Sequence, residues 1–449
     1  MSVLAVVGGT LLDGNGGEPI ENSVLLIEGK RIVAVGDHSL RAPAHATTIR
    51  AAGKYIVPGL MDANVHLVLD IPPLTLIRYE GRYDELALEA AQTTLRNGVT
   101  TVFDSWGPRE YLIKARDAVN DRRVTASRIY LAGNIVGLGG PYSEDFFPQG
   151  KAVLFDYASR INAAWQENVG PELMWMAAEQ VREEVRRYVQ RGIDFLKYAV
   201  TGHRPSTLQY IQFSLRVQQA IIEEARRAGI IVQTHTTSVE GLRLAVDLGV
   251  DLLQHADLTG PQPMTAETAE LIAERRIPCA LLANTDDTLE WYREKARTDA
   301  NLQRYVVADT NQRTLLHAGA VVLLSTDGGV FSSNTLQSSI WKNHAPPHNS
   351  LLNLGEGHFV WLRAAEQKRM KPMDALMAAT RNIARAYRVD RDLGTLEKGK
   401  IADLVILDEN PLASASHYRS IHMVMKEGEV VDLSGLPARR LLTQAETET

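Results

Sequence analysis

Residues 55–66 read Tyr-Ile-Val-Pro-Gly-Leu-Met-Asp-Ala-Asn-Val-His, an apolar run that ends in amide and ionisable side chains. Large apolar residues bounded by turn formers mark a buried strand. Asn64 and His66 stand two apart, so on a strand they share one face. The pattern recurs along the chain. Further candidate strands are Thr100–Asp104, Arg128–Ile135, Phe195–Val200, Ile230–His235, Leu252–His255, Ile277–Ala283 and Val321–Ser325. Helical stretches at Met176–Arg191, Ser214–Ala228, Val239–Leu248 and Ala266–Arg275 separate several of them. Strands alternating with helices imply a parallel sheet. Eight such units predict a closed (β/α)₈ TIM barrel of the α/β class rather than an open sheet.

The flanks differ in texture. Before the barrel, Val3–Val7 reads as a strand, and Ser23–Glu28 and Arg31–Val35 flank a hairpin turn at Gly29-Lys30. After a helix around Met373–Tyr387 the strand pattern returns, at Leu404–Leu407, Ile421–Lys426 and Glu429–Asp432. This predicts a division into an N-terminal β unit over 1–57, a barrel over 58–390, and a C-terminal β unit with a tail over 391–449. The two β units are expected to pair in space. The last dozen residues are polar and expected to fray.

Composition narrows the class. The chain has 449 residues, 45% hydrophobic and 23% charged, which excludes a disordered chain or a coiled coil. Forty-eight Lys and Arg against 54 Asp and Glu leave a net charge of −6, which argues against nucleic acid as a partner. The single cysteine, Cys279, excludes an internal disulfide framework and a Cys-rich zinc site, and a reducing cytoplasm fits. Cys279 sits mid-strand, where a buried, inert thiol is expected. No apolar run reaches the roughly 18 residues needed to span a bilayer, so no membrane partner is expected. Val3–Val7 lacks a basic flank and a cleavage signature, which favours a strand over a signal peptide.

Active sites of such barrels lie at the C-terminal ends of the strands. There the sequence places Asn64 and His66, Lys197, His235, His255 and Asp327. Lys197 and His235 lie one strand–helix unit apart, His255 follows after a short unit, and Asp327 two units further. Converging imidazoles and carboxylates suit a divalent metal: Zn²⁺, with Mn²⁺ or Co²⁺ as alternatives. Such an ion lowers the pKa of bound water towards about 7, giving hydroxide. Asp327 is then the catalytic acid–base candidate, taking a proton from that water and passing it to a leaving amine. Taken singly, each residue reads as a buried strand end satisfying its neighbours; taken together they read as a metal site.

Taken as a set, these motifs resemble the amidohydrolase superfamily. They are Val57-Pro58-Gly59-Leu60-Met61-Asp62 leading into Asn64-Val65-His66, Gly98-Val99-Thr100-Thr101-Val102, Lys197, His235, His255, Asp327, and Leu393 to Val405. The resemblance covers about residues 3 to 433. It implies a distorted barrel with a β-sandwich built from both termini, one or two metal ions, and a carboxylated Lys197 bridging them. The superfamily usually has His-x-His where this chain has Asn64-x-His66, a variant that resembles the phenylurea hydrolases and molinate hydrolase. Related dipeptidases often carry a His after the two glycines of Gly139-Gly140; Pro141 stands there. This argues against a substrate carboxylate at that position.

The implied reaction is hydrolysis of a C–N bond in an amide, urea or carbamate of a small, largely neutral aryl or alkyl compound, such as a phenylurea herbicide. The alternative within the superfamily is an Xaa-Pro or N-acyl amino acid dipeptidase. Outside it stands a non-catalytic scaffold, against which the retained ligand set argues. Tyr142, Phe146, Phe147, Phe155, Tyr157, Trp165 and Trp175 crowd the segment after strand 3. They form either a pocket wall or a small separate core or subunit contact. Tyr142, Tyr198 and His203 are the substrate-binding candidates, the last two as donors to a developing oxyanion. His344, His348 and His358 read as solvated members of a long loop. A homo-oligomer is expected by analogy with the superfamily.

Overall fold

The computed structural model describes residues 3–147, 154–203, 209–329, 346 and 350–442. Barrel strands 1 to 8 are Leu60–Val65, Val99–Asp104, Arg128–Leu131, Leu196–Ala199, Val232–His235, Leu252–Gln254, Cys279–Leu281 and Val322–Leu324. All observed strand pairings within the barrel are parallel. Strands 1–2–3 form one ladder and strands 4–5–6–7–8 another. Two isolated parallel bridges close the ring, Val136 with Tyr198 and Val65 with Gly328. The expected strands are present with trimmed ends. The expected helices appear as Ala178–Val189, Leu215–Arg227, Val239–Leu248 and Ala266–Glu274.

One expected strand is in fact two. Tyr55–Pro58 pairs antiparallel with Leu404–Leu407, while Leu60–Val65 enters the barrel. Gly59 is the switch point. A Cβ there would lie 2.3 Å from Thr100 Oγ1, so only glycine lets the chain cross so close to strand 2. Both termini build the sheets beside the barrel. One sheet orders Arg31–Gly36, Val24–Glu28, Val3–Val7 and Thr47–Arg50; the other joins Glu429–Val430, Ile421–Lys426, Leu404–Leu407, Tyr55–Pro58 and Thr10–Leu11. Apolar residues such as Leu25, Ile27, Ile56, Leu404 and Ile406 bury their side chains between these segments. The helix expected around Met373–Tyr387 is two short ones, Pro372–Ala378 and Arg381–Ala386.

The barrel and the terminal sheets are pinned by a buried ion pair. Arg128, at the start of strand 3, donates to Asp403 at 2.6 Å and to Glu427 at 2.8 Å. Among the described residues, no helix is long and apolar enough to cross a membrane. Cys279 is fully buried, and burial pushes its thiol pKa up, as expected of an inert position.

Candidate active site

The eight strand ends bring the expected site residues together. Asn64 is the fifth residue of strand 1, His66 follows its end, Lys197 lies within strand 4, and His235 ends strand 5. His255 and Asp327 lie just past strands 6 and 8 with φ of 54° and 53°, left-handed values that non-glycine residues seldom adopt. Such positions recur at functional sites, and here two of them fall in one strand-end cluster.

Asp327 is the hub. Its Oδ1 accepts from Asn64 Nδ2 at 2.7 Å and from His66 Nε2 at 3.0 Å, and His255 Nε2 stands 3.7 Å away. A second chain of contacts leads to the lysine. Ser105 donates to Asn64 Oδ1 and accepts from Lys197 Nζ at 3.0 Å. His235 donates through Nε2 to the carbonyl of His203 at 3.1 Å, and the rings of His235 and His255 are 5.3 Å apart.

Burial sets the charge states. It pushes His235 well below the ordinary imidazole range and His255 down to about 4, so both rings are neutral at pH 7. Burial also lowers Lys197 to about 8, against the opposing pull of Asp327 and Asp104. Burial alone would raise Asp327, but the neighbouring His255, His66 and Lys197 hold it well below the usual carboxylate range. The result is an anionic Asp327 beside the neutral rings of His235 and His255 and the largely cationic Lys197.

Three residues that sequence reasoning passed over hold this geometry. Asp62 accepts from the backbone of Asn64 at 3.2 Å, and from Thr326 N at 3.1 Å and Thr326 Oγ1 at 2.7 Å. It thereby ties strand 1 to the turn that carries Asp327. Asp104 accepts from Leu67 N at 2.7 Å and fixes the chain just beyond His66. Ser105 aims the Asn64 amide. Asp104 ends an apolar strand and Ser105 follows it, and that placement was the available signal, whereas Asp62 lies inside strand 1.

The cavity over these groups encloses about 110 Å³. His66, Lys197, His235, His255 and Asp327 line its floor, Trp106, Phe146 and His203 one wall, and Arg304 and Tyr305 also face it. Trp106 is fixed by its Nε1 donating to Asn134 at 2.9 Å, and it packs edge-on against Phe146 and His203, with centroids 4.8 and 4.5 Å away.

The other substrate-binding candidates lie elsewhere. Tyr198 is fully buried and its hydroxyl meets Gln218 at 3.3 Å, outside the residues lining this cavity. Lys197 faces the barrel interior, so its strand neighbour must face the helices. Tyr142 lines a separate cavity with Asp145, Asn162 and Gln212. Of the aromatic segment, Phe146 reaches the active-site cavity and Trp165 is core, whereas Phe155, Tyr157 and Trp175 are exposed. His358 is neither solvated nor in a loop. It is buried in helix Gly357–Gln367 and its Nε2 donates to Asn97 O at 3.0 Å. His344 and His348 lie outside the described residues.

Among the described residues, no three His, Cys, Asp or Glu side chains form a ready-made metal cage. The ligand-type groups are instead knit together by direct hydrogen bonds. Their chemistry nonetheless fits a divalent cation. Two imidazoles are held neutral, one carboxylate is held anionic, and Nδ1 of His66 and of His255 are buried with no hydrogen-bond partner.

The chain belongs to the amidohydrolase family, whose pattern matches residues 55–431. Members of this superfamily generally use a divalent metal. The solved structure of molinate hydrolase is 37% identical, covering 98% of this chain and 97% of that one, with a TM-score of 0.91. That of phenylurea hydrolase B is 36% identical, covering 98% and 99%, with a TM-score of 0.90. Ochratoxinase of Aspergillus niger is 24% identical over 97% of this chain and 88% of its own length. The chain is thus a hydrolase of carbon–nitrogen bonds.

Proposed function

We propose that the protein hydrolyses the C–N bond of an amide, urea or carbamate on a compact aryl or alkyl frame. The reading rests on one observation: an anionic Asp327, held by His66 and Asn64, sits beside neutral imidazoles beneath an aromatic wall. The likeness to molinate and phenylurea hydrolases supports this substrate class.

His66, His235, His255, Asp327, Lys197 and Asn64 are the residues that would hold a divalent metal, with Zn²⁺ favoured over Mn²⁺ and Co²⁺. When bound, such an ion supplies Lewis acidity and makes water a stronger acid. A lysine whose pKa is brought down to about 8 is more readily the neutral amine that carboxylation requires. Asp327 accepts the proton of the attacking water on a carboxylate oxygen and delivers it to the leaving nitrogen. Its strained backbone and three neighbours fix the direction of that transfer before substrate arrives. Trp106 and Phe146 exclude bulk water and give an aryl group a face to pack on. His203 holds His235 through its carbonyl and presents its ring to the same wall.

The test is metal removal by prolonged chelation, confirmed by elemental analysis, then restoration with Zn²⁺, Mn²⁺ or Co²⁺, with hydrolysis of an N-aryl urea or N-aryl amide as readout. Activity should vanish and return with metal. Full activity after confirmed removal would overturn the reading.

A further inference from the structure

We propose that Arg304 selects substrates carrying a carboxylate at the end remote from the scissile C–N bond. This deepens the reading of the same site as a C–N hydrolase and rests on it. Arg304 lines the active-site cavity with His66, His235, His255 and Asp327. Among the described residues it has no carboxylate within ion-pair distance, although most arginines of this chain have one. Its Nη2 donates to the hydroxyl of Tyr305 at 3.3 Å, and its guanidinium lies 4.9 Å from that ring's centroid. Tyr305 is itself stacked on the buried Tyr292, with centroids 4.4 Å apart. The cation is therefore held in place rather than waving in solvent, and its remaining N–H donors have no acceptor among the described residues.

Its position also runs against local preference. Arg304 is the second residue of helix Gln303–His317, whose first turn contains no acidic residue. A helix N-terminus already carries positive partial charge and favours anions. A guanidinium added there makes the cavity edge more positive still, which a neutral ligand would not exploit. The acids lining the cavity are Asp70 and Asp327, and neither pairs with Arg304.

Across the ring, the segment after strand 3 places an acid in the neighbouring cavity, beside the His203 that lines this one. Asp145, after strand 3, accepts from Gly139 N at 3.0 Å and faces His203 Nδ1 at 3.8 Å. The two-glycine segment, where the sequence argued against a substrate carboxylate, thus turns to an acid rather than to a cation. Strands 3 and 7 are diametrically placed in an eight-stranded ring, and the helix carrying Arg304 comes after strand 7. A substrate spanning the cavity puts an aryl or alkyl face against Trp106 and Phe146 and a carboxylate on Arg304. Arginine suits this because its fork matches the two oxygens.

The experiment measures binding of benzoate and of its neutral isostere benzamide to the full-length chain, its metal content as isolated, by calorimetry or ligand-observed NMR. Arg304 is half-exposed, so Arg304→Met and Arg304→Lys leave the core untouched. The wild type should bind benzoate about ten- to a hundredfold more tightly than benzamide, the range of one charge-assisted contact. Arg304→Met should erase that preference and Arg304→Lys should retain part of it. Equal affinities in the wild type, or a preference that survives Arg304→Met, would overturn the assignment. Hydrolysis of acetanilide and 4-acetamidobenzoate separates the two readings. If neither is cleaved while the Arg304-dependent preference persists, the C–N reading fails and Arg304 stands. If both are cleaved with equal kcat/KM, unaltered by Arg304→Met, the assignment fails and the C–N reading stands.

Discussion

Thr326→Val tests whether the turn that carries Asp327 is held by side chains rather than by the strand ladder. Thr326 Oγ1 donates to the buried carboxyl of Asp62 at 2.7 Å and accepts from Gly328 N at 3.0 Å. Valine keeps the shape and removes both bonds. Losing a bond to a carboxyl group costs roughly 1.5–3 kcal/mol and losing a neutral one roughly 0.5–1.5 kcal/mol, so the sum is about 2–4.5 kcal/mol. Over 449 residues, with an unfolding entropy of roughly 2.1 cal/mol/K per residue, each kcal/mol lowers Tm by about 1 °C. Calorimetry should therefore show Tm down by about 2–5 °C. The functional effect should be larger in proportion. Asp327 sits at φ 53°, and a turn that relaxes moves its carboxylate away from His66 and Asn64. A misplacement on the order of 1 Å costs about a hundredfold in rate. The loss should appear in kcat with KM little changed, because the aromatic wall is untouched. Thr326→Ser keeps the hydroxyl and should hold most of kcat. A Val variant with wild-type kcat and Tm, or a Ser variant as impaired as the Val one, would refute the argument.

Other outcomes follow from single contacts. Asn64→His should change the metal content per chain, measured by elemental analysis, or the rate; if both stay the same, position 64 does not touch the metal. His358 is buried neutral, with its pKa pushed down to about 3 by burial, so the unfolded chain holds one proton more than the folded chain between about pH 3 and 6.5. Stability from this group therefore rises with pH across that window. The deficit of His358→Gln against the wild type in urea titrations should shrink as pH falls, by up to about 1.4 kcal/mol per unit; a constant deficit would show that the folded His358 takes up a proton as readily as the unfolded one.

The barrel was legible because buried parallel strands read as continuous apolar runs cut by Gly and Pro, and those runs here are short and alternate with helical stretches. What the runs conceal is a change of sheet. Tyr55 to His66 looks like one strand, since nothing in an apolar run records that Gly59 carries the chain from a terminal sheet to the barrel. The candidate ligand set was legible for a related reason: its members are polar residues within, at or just past the ends of those apolar runs. Tyr198 could have been excluded from sequence alone, because it neighbours Lys197 on a strand and must face the other way. His358 was misplaced because its helix opens at Gly357 without a side-chain cap. Arg304 was invisible, because a cation in an ordinary helical stretch shows its meaning only when the fold brings it over the strand ends.

The seam between strands 8 and 1 explains why the chemistry sits where it does. Like the seam between strands 3 and 4, this seam has no ladder but a single bridge, Val65 with Gly328, made by His66 N to Gly328 O at 2.8 Å and Asp327 N to Asn64 O at 2.9 Å. Below that bridge, backbone pairing gives way to the Asp62 carboxyl, which reaches across to both donors of Thr326. A ladder would force extended backbone on residues 325 to 328 and point Asp327 along the wall. Replacing it with a side-chain clamp frees the turn to go left-handed and swings the carboxylate over the barrel mouth, at a cost in local stability. The clamp must then be buried, because water would compete for its bonds; Asp62 is almost fully covered, and burial brings its pKa up to about 7. The candidate catalytic acid is therefore set at one of the two joints where the barrel lacks a backbone ladder, and its turn depends on the side chains of Asp62 and Thr326.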